Sequence, residues 1–133
     1  MTNVEKVKDF LDKSKSYLFL TIEGEQPVGR PFGFHLMIDG KLYFACGKYD
    51  FSHKELTGNY KLIVSAIGNG EYLRYGGDVK VVKEESIITH LHETMPRIKE
   101  YYDKNGMEIR IFYLENGHAE ITNNNEIKDE FDV

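Results

Sequence analysis

The chain has 133 residues, 41% of them hydrophobic, 13% aromatic and 29% charged, with a formal net charge of −5. Such a composition is too apolar for disorder and suits one soluble globular domain. A single cysteine excludes both an internal disulfide and a Cys-rich zinc site. The acidic balance argues against nucleic acid as a partner, since phosphate neutralisation needs a broad field of Lys and Arg, and no apolar run is long enough to span a membrane.

In chain order, a helix is predicted first. Thr2 and Glu5 have capping-box spacing, and Val4, Val7, Phe10 and Leu11 form one apolar stripe. This N-terminus has no apolar signal region, so a cytoplasmic location is expected. A strand is predicted over 17–23, closed by a loop through "GEQPVG", followed by strands 29–38 and 41–46 across Asp39-Gly40. That dipeptide favours a tight hairpin because both turn positions want positive φ. Pro31 removes a backbone donor, placing its strand at an edge or a bulge. "SHKELTGN" reads as a short helix closed by Gly58. "KLIVSAIG" and "EYLRYGGDVKVVK" read as strands across a Gly-Asn-Gly turn, with a bulge at Gly76-Gly77. A helical pattern from Glu84 to about Tyr102 is interrupted at Met95-Pro96, and "MEIRIFYLENGHAEIT" returns to strand around an Asn-Gly turn. Residues 123–133 read as an acidic, solvated C-terminal tail beside a single domain over 1–122. Six or seven strands with short turns and few helices give a mainly β fold, an antiparallel sheet closing into a small barrel.

Charge is distributed unevenly. Residues 30–54 hold four basic residues against two acidic ones, a balance of +2, which leaves −7 for the rest of the chain. Arg30, Lys48 and Lys54 stand around an aromatic-rich hairpin, as an anion site would require. The alternative is that they are solvated strand and helix-end charges. Phe32, Phe34, Tyr43 and Phe44 read as barrel core, and Cys46 as a small buried hydrophobe. His90 and His92 lie two apart in a helical stretch, so their rings point in different directions. No metal site is expected.

Arg-Pro-Phe-Gly-Phe at 30–34, the Asp-Gly turn, Leu-Tyr-Phe-Ala-Cys-Gly at 42–47, Ser-His-Lys-Glu-Leu at 52–56 and Tyr-Leu-Arg at 72–74 together resemble the FMN-binding split-barrel family. That family includes pyridoxamine 5′-phosphate oxidase, nitroimidazole-resistance reductases and small general-stress proteins. The resemblance runs over about residues 5–122 and rests on the order of the motifs more than on any one of them.

It implies a six-stranded Greek-key split β-barrel that dimerises and holds FMN in two equivalent interface grooves. Arg30 matches the residue that reaches the FMN phosphate, with Pro31, Phe32 and Gly33 beside the isoalloxazine ring. Phe44, Ala45 and Cys46 match the next flavin-lining strand end. Ser52, His53 and Lys54 match a phosphate cluster, although His53 replaces an Arg. Tyr72 and Arg74 match a strand that approaches the flavin from the other protomer, at a place where short members often carry Trp. His35 is either a donor to flavin or substrate or a wet barrel-edge histidine.

The implied activity is flavin-dependent reduction of a diffusible oxidant, such as a nitro-aromatic or a quinone, with NAD(P)H as donor. No catalytic residue is assigned. The segment that completes the vitamin-phosphate site in the true oxidase has no counterpart here, so pyridoxamine phosphate oxidation is not expected. A non-catalytic flavin-binding or stress-related module, or a barrel without cofactor, is the alternative.

Overall fold

The computed structural model describes residues 1–14, 16–23, 25–47, 61–106, 109–123 and 126–133, the side chains of Glu23, Cys46 and Tyr102 excepted. The first helix, α1 (Asn3–Lys13), starts as the capping box predicts: the Glu5 backbone N–H donates to Thr2 Oγ1 at 3.2 Å, and that hydroxyl donates to the Glu5 carboxylate at 2.9 Å. Val7 and Leu11 from its apolar stripe are fully buried in the main core.

The strands are β1 (Tyr17–Glu23), β2 (Gln26–Phe32), β3 (His35–Ile38), β4 (Lys41–Gly47), β5 (Lys61–Gly68), β6 (Glu71–Val81), β7 (Ile109–Asn123) and β8 (Glu126–Asp132). They form one antiparallel sheet in the order β2-β1-β5-β6-β7-β4-β3, with β8 added on β7. The fold class is therefore mainly β with flanking helices, with eight strands among the described residues in place of the six expected. The sheet curls until its two ends meet. Phe19 on β1 lies 5.4 Å from Phe44 on β4 and 5.5 Å from Phe112 on β7, with both rings edge-on. These three phenylalanines have no exposed surface and form the centre of the barrel interior.

Three expectations about β elements need correcting. "GEQPVG" is not all loop, because its last four residues, 26–29, belong to β2, and Glu23 pairs with Gln26. Both Pro27 and Pro31 fit there because, among the described residues, β2 pairs only with β1, and an edge strand tolerates a missing N–H on its open side. The Asn116-Gly117 step is not a hairpin turn but part of one 15-residue strand. Asn116 has φ +52°, and two β7 residues, Asn116 and Gly117, oppose the single Gly77 of β6, a bulge that bends both strands. The acidic C-terminus does not fray. Residues 126–132 pair with β7, and Phe131 packs on the main core. A charge count misses this, because alternate residues of a strand can be acidic and apolar.

The Asp39-Gly40 turn has positive φ at both central residues, as predicted, and the expected turn at Asn69-Gly70 has the same conformation. After β6, the helix α2 (Glu85–Thr94) breaks before Pro96, which opens α3 (Pro96–Lys104). Leu91 of α2 joins Tyr43 and Ile111 in a second core on the outer side of β4 and β7, so β4 is buried on both faces. None of the described helices is long or apolar enough to cross a membrane. The expected helix over 52–58 lies outside the described residues.

Candidate functional site

Register decides where each expected site residue points, since directly opposed residues in an antiparallel pair share a face. Arg30 is opposed to Phe19 and Phe32 to Tyr17, which places both on the interior side of β2. Phe32 stacks on Phe19 with ring centres 4.4 Å apart, and Arg30 is half-buried with its Nη1 shielded from solvent. Pro31 and Gly33 are exposed, Gly33 lying between β2 and β3. Phe44 and Ala45 are both buried, facing the main core and the second core respectively. The backbone of Cys46 pairs with Arg110, while the burial expected for its thiol lies outside the described residues. So do Ser52, His53 and Lys54, together with Lys48.

Tyr72 and Arg74 occupy a different surface. Leu73 and Tyr75 point into the core, which turns Tyr72 and Arg74 outward. Tyr72 is 52% exposed and opposes Ile67, which is 67% exposed. Leu18 and Ile22 of β1 continue this outward apolar face. Arg30 and Tyr72 are separated by β1 and β5, so within one chain they do not line a common groove.

Arg110 escaped the sequence reading. It is opposed to Cys46 and stands two residues from Phe112. Its Nε is buried and, among the described residues, has no hydrogen-bond partner. Thr21 Oγ1 on β1 is buried in the same condition. An unsatisfied buried donor costs about 1–3 kcal/mol, so an anionic oxygen placed there would be stabilised. A lone Arg inside the apolar run Ile109–Phe112 was the available signal.

His35 is neither a free donor nor a wet edge residue. Its Nε2 lies 2.6 Å from Asp12 Oδ1 and its Nδ1 3.1 Å from Tyr17 Oη, with only 11% of the side chain exposed. Burial pushes the Tyr17 phenol far up, so it stays protonated. Partial burial would raise the Asp12 carboxyl, but hydrogen bonds from Lys8 and His35 outweigh it and hold the group below its ordinary value.

No family model matches the chain, and no curated protein sequence matches it. Solved structures do. A NimC/NimA family protein from Clostridium acetobutylicum superposes with a TM-score of 0.84 at 24% identity, over 100% of this chain and 95% of that one. A protein from the same organism related to general stress protein 26 of B. subtilis, of the pyridoxinephosphate oxidase family, gives 0.72 at 13% identity over 98% and 94%. A FAD-binding protein from Mesorhizobium loti gives 0.54 at 12% identity over 90% and 94%. The structural neighbours are therefore those expected of a split barrel of the pyridoxamine 5′-phosphate oxidase type, and that is the fold of this chain.

Proposed function

We propose that the chain binds FMN and serves as a small flavin-dependent oxidoreductase, reducing a diffusible oxidant with electrons from a reduced nicotinamide. The observation that carries this reading is the pairing of Cys46 with Arg110. The end of β4, which the resemblance assigns to the flavin, pairs with Arg110, whose buried Nε has no hydrogen-bond partner among the described residues. The residues present fit the group. Arg30 and Arg110 offer charge to a phosphate, the backbone of 31–33 and 44–46 offers a flat lining for the ring, and Lys54 with Ser52 would complete the phosphate contacts. The fold shared with a FAD-binding protein supports a flavin in general, and the choice of the mononucleotide rests on the resemblance of the motifs at 30–34 and 52–56. Bound flavin would supply the hydride chemistry; the chain would position it and exclude water.

Tyr72 and Arg74 enter this reading through a second copy. A face bearing Leu18, Ile22, Ile67 and Tyr72 is apolar enough to be covered in a homodimer, and their distance from Arg30 within one chain is what a shared site would produce.

Titration of the purified protein with FMN, followed by visible absorbance and flavin fluorescence, tests the binding. One flavin per chain is expected, with weaker binding after Arg110→Ala. The absence of saturable binding for FMN, FAD and riboflavin alike would refute the reading. NADPH oxidation with quinone and nitro-aromatic acceptors then tests turnover, and binding without turnover would leave a flavin-binding module.

A further inference from the structure

We propose a divalent-metal site on the outward face of β7 and β8, with His118, Glu120 and Glu130 as ligands. Ala119 is fully buried and Phe131 packs on the core, so their neighbours His118, Glu120, Glu130 and Asp132 all face outward. Register opposes His118 to Asp132 and Glu120 to Glu130. One donor atom from each of His118, Glu120 and Glu130 lies within 4.8 Å of the others. Nitrogen and carboxylate ligands bind zinc at about 2.0–2.2 Å, so donors on one ion sit at most ~4.4 Å apart. Small side-chain rotations close that difference.

Two further features point to a cation. First, Glu120 and Glu130 are carboxylates directly opposed across a ladder, an arrangement that costs pairing energy unless positive charge lies between them. Among the described residues the partners of this pair are His118, 2.8 Å from Glu130, and Arg74 Nη1, 4.0 Å from Glu120 with its side chain 70% exposed, a weak partner. Second, His118 is oriented as a ligand. Its Nε2 faces Glu130 Oε1 at 2.8 Å, while Nδ1 lies 2.9 Å from Asp132 Oδ1. Each ring nitrogen therefore has a carboxylate beside it in the ion-free chain; an ion would take the place of the Nε2 hydrogen, with Asp132 on Nδ1 as the usual support behind a metal-bound histidine.

Room is available as well. The residue opposite His118 on β6 is Gly76, and a cavity of about 320 Å³ opens there, lined by Gly76, His118 and Glu120 and, further from β8, by the cations Lys61 and Arg74. Water could complete the coordination from that side. One imidazole with two carboxylates suits Zn²⁺, Co²⁺ or Ni²⁺ better than Mg²⁺, which prefers an all-oxygen shell.

The test is calorimetric titration of the chelator-stripped full chain with Zn²⁺, alongside the visible spectrum of the Co²⁺ form. One ion per chain is expected. Binding should fall more than tenfold in both His118→Ala and Glu130→Gln, and about 10- to 100-fold in Asp132→Asn. A His90→Ala/His92→Ala double variant should bind as the wild type does. Glu130→Gln keeps the strand's size and shape, so its loss of binding with an unchanged circular dichroism spectrum separates coordination from unfolding. Equal Zn²⁺ affinity in wild type, His118→Ala and Glu130→Gln would overturn the site. So would loss of binding in the His90/His92 variant, or Mg²⁺ binding as tight as Zn²⁺.

Discussion

Tyr17 Oη and His35 Nδ1 lie 3.1 Å apart, joining β1, the second strand from one end of the curled sheet, to β3 at the other end. These strands share no backbone ladder among the described residues, so side chains close the barrel there. Asp12 on α1 holds the other ring nitrogen of His35, which ties the first helix to the same seam. Tyr17 also packs against Phe19 and Phe44, so the bond is anchored in the main core. The seam stabilises the fold and leaves His35 with no nitrogen to offer a ligand.

Tyr17→Phe removes the hydroxyl and keeps the ring. The expected cost is about 1 kcal/mol, the net worth of one neutral hydrogen bond. It should appear as a lower urea midpoint with an unchanged slope. Unaltered stability would mean the seam is closed by packing alone.

Acid should loosen the same seam. The Asp12 carboxyl is held below its ordinary value of 3.8 in the folded chain. Its contribution is therefore fully present above that value and is lost as the pH falls through the lower, folded one. The difference in urea midpoint between wild type and Asp12→Asn should be largest near neutral pH and shrink in acid. A difference that grows below pH 3.8 would contradict the assignment.

The β6–β7 bulge makes a third prediction. A Cβ built on Gly77 would meet the Glu115 carbonyl oxygen at 2.7 Å and Leu114 Cβ at 3.1 Å, and this backbone cannot yield cheaply. On Gly76 the nearest atom is Ile63 Cγ1 at 3.3 Å, the side chain of a half-exposed residue. Gly77→Ala should cost about 1–3 kcal/mol, the usual range for overpacking, and clearly more than Gly76→Ala. Equal thermal midpoints for the two variants would show that the bulge relaxes.

How legible each part was in the sequence followed the range of the interaction that fixes it. Turns set by local φ, at Asp39-Gly40 and Asn69-Gly70, and the Thr2 cap could be read from dipeptides and spacings. Asn116-Gly117 could not, because the same dipeptide serves a hairpin or a bulge, and Gly77 on another strand decides which. The C-terminal strand hid behind its acids, since Phe131 and Ile127 alone carry its apolar signal. In the candidate site, Arg30 and Phe32 were visible through motif order. Arg110 and the His35 seam depend on pairings between distant residues, which no local pattern encodes.

Ile67 and Tyr72 are the centre of the outward apolar face. Ile67→Asp places a charge where a second copy would need to desolvate it, at a cost of several kcal/mol. Light scattering should then show a dimer for wild type and a monomer for the variant, with flavin affinity falling alongside. Wild-type protein that binds flavin as a monomer at micromolar concentration would remove the shared site.

The cations around the aromatic hairpin give the sharpest division between a binding role and a structural one. If Arg30 and Lys54 hold the FMN phosphate, each supplies a charge-assisted hydrogen bond of about 1.5–3 kcal/mol. Replacing either by Ala should weaken FMN binding about 10- to 150-fold. Riboflavin has the same ring and no phosphate, so it should lose far less. Lys48→Ala is the control, because Lys48 precedes the matched phosphate cluster and has no assigned contact. Arg30 carries an additional structural burden, being half-buried opposite Phe19, so its variant needs a denaturation curve beside the titration. Equal losses for FMN and riboflavin would place Arg30 and Lys54 in the scaffold. No loss for either flavin would remove both residues from the site and leave Arg110 as the remaining candidate for the anion.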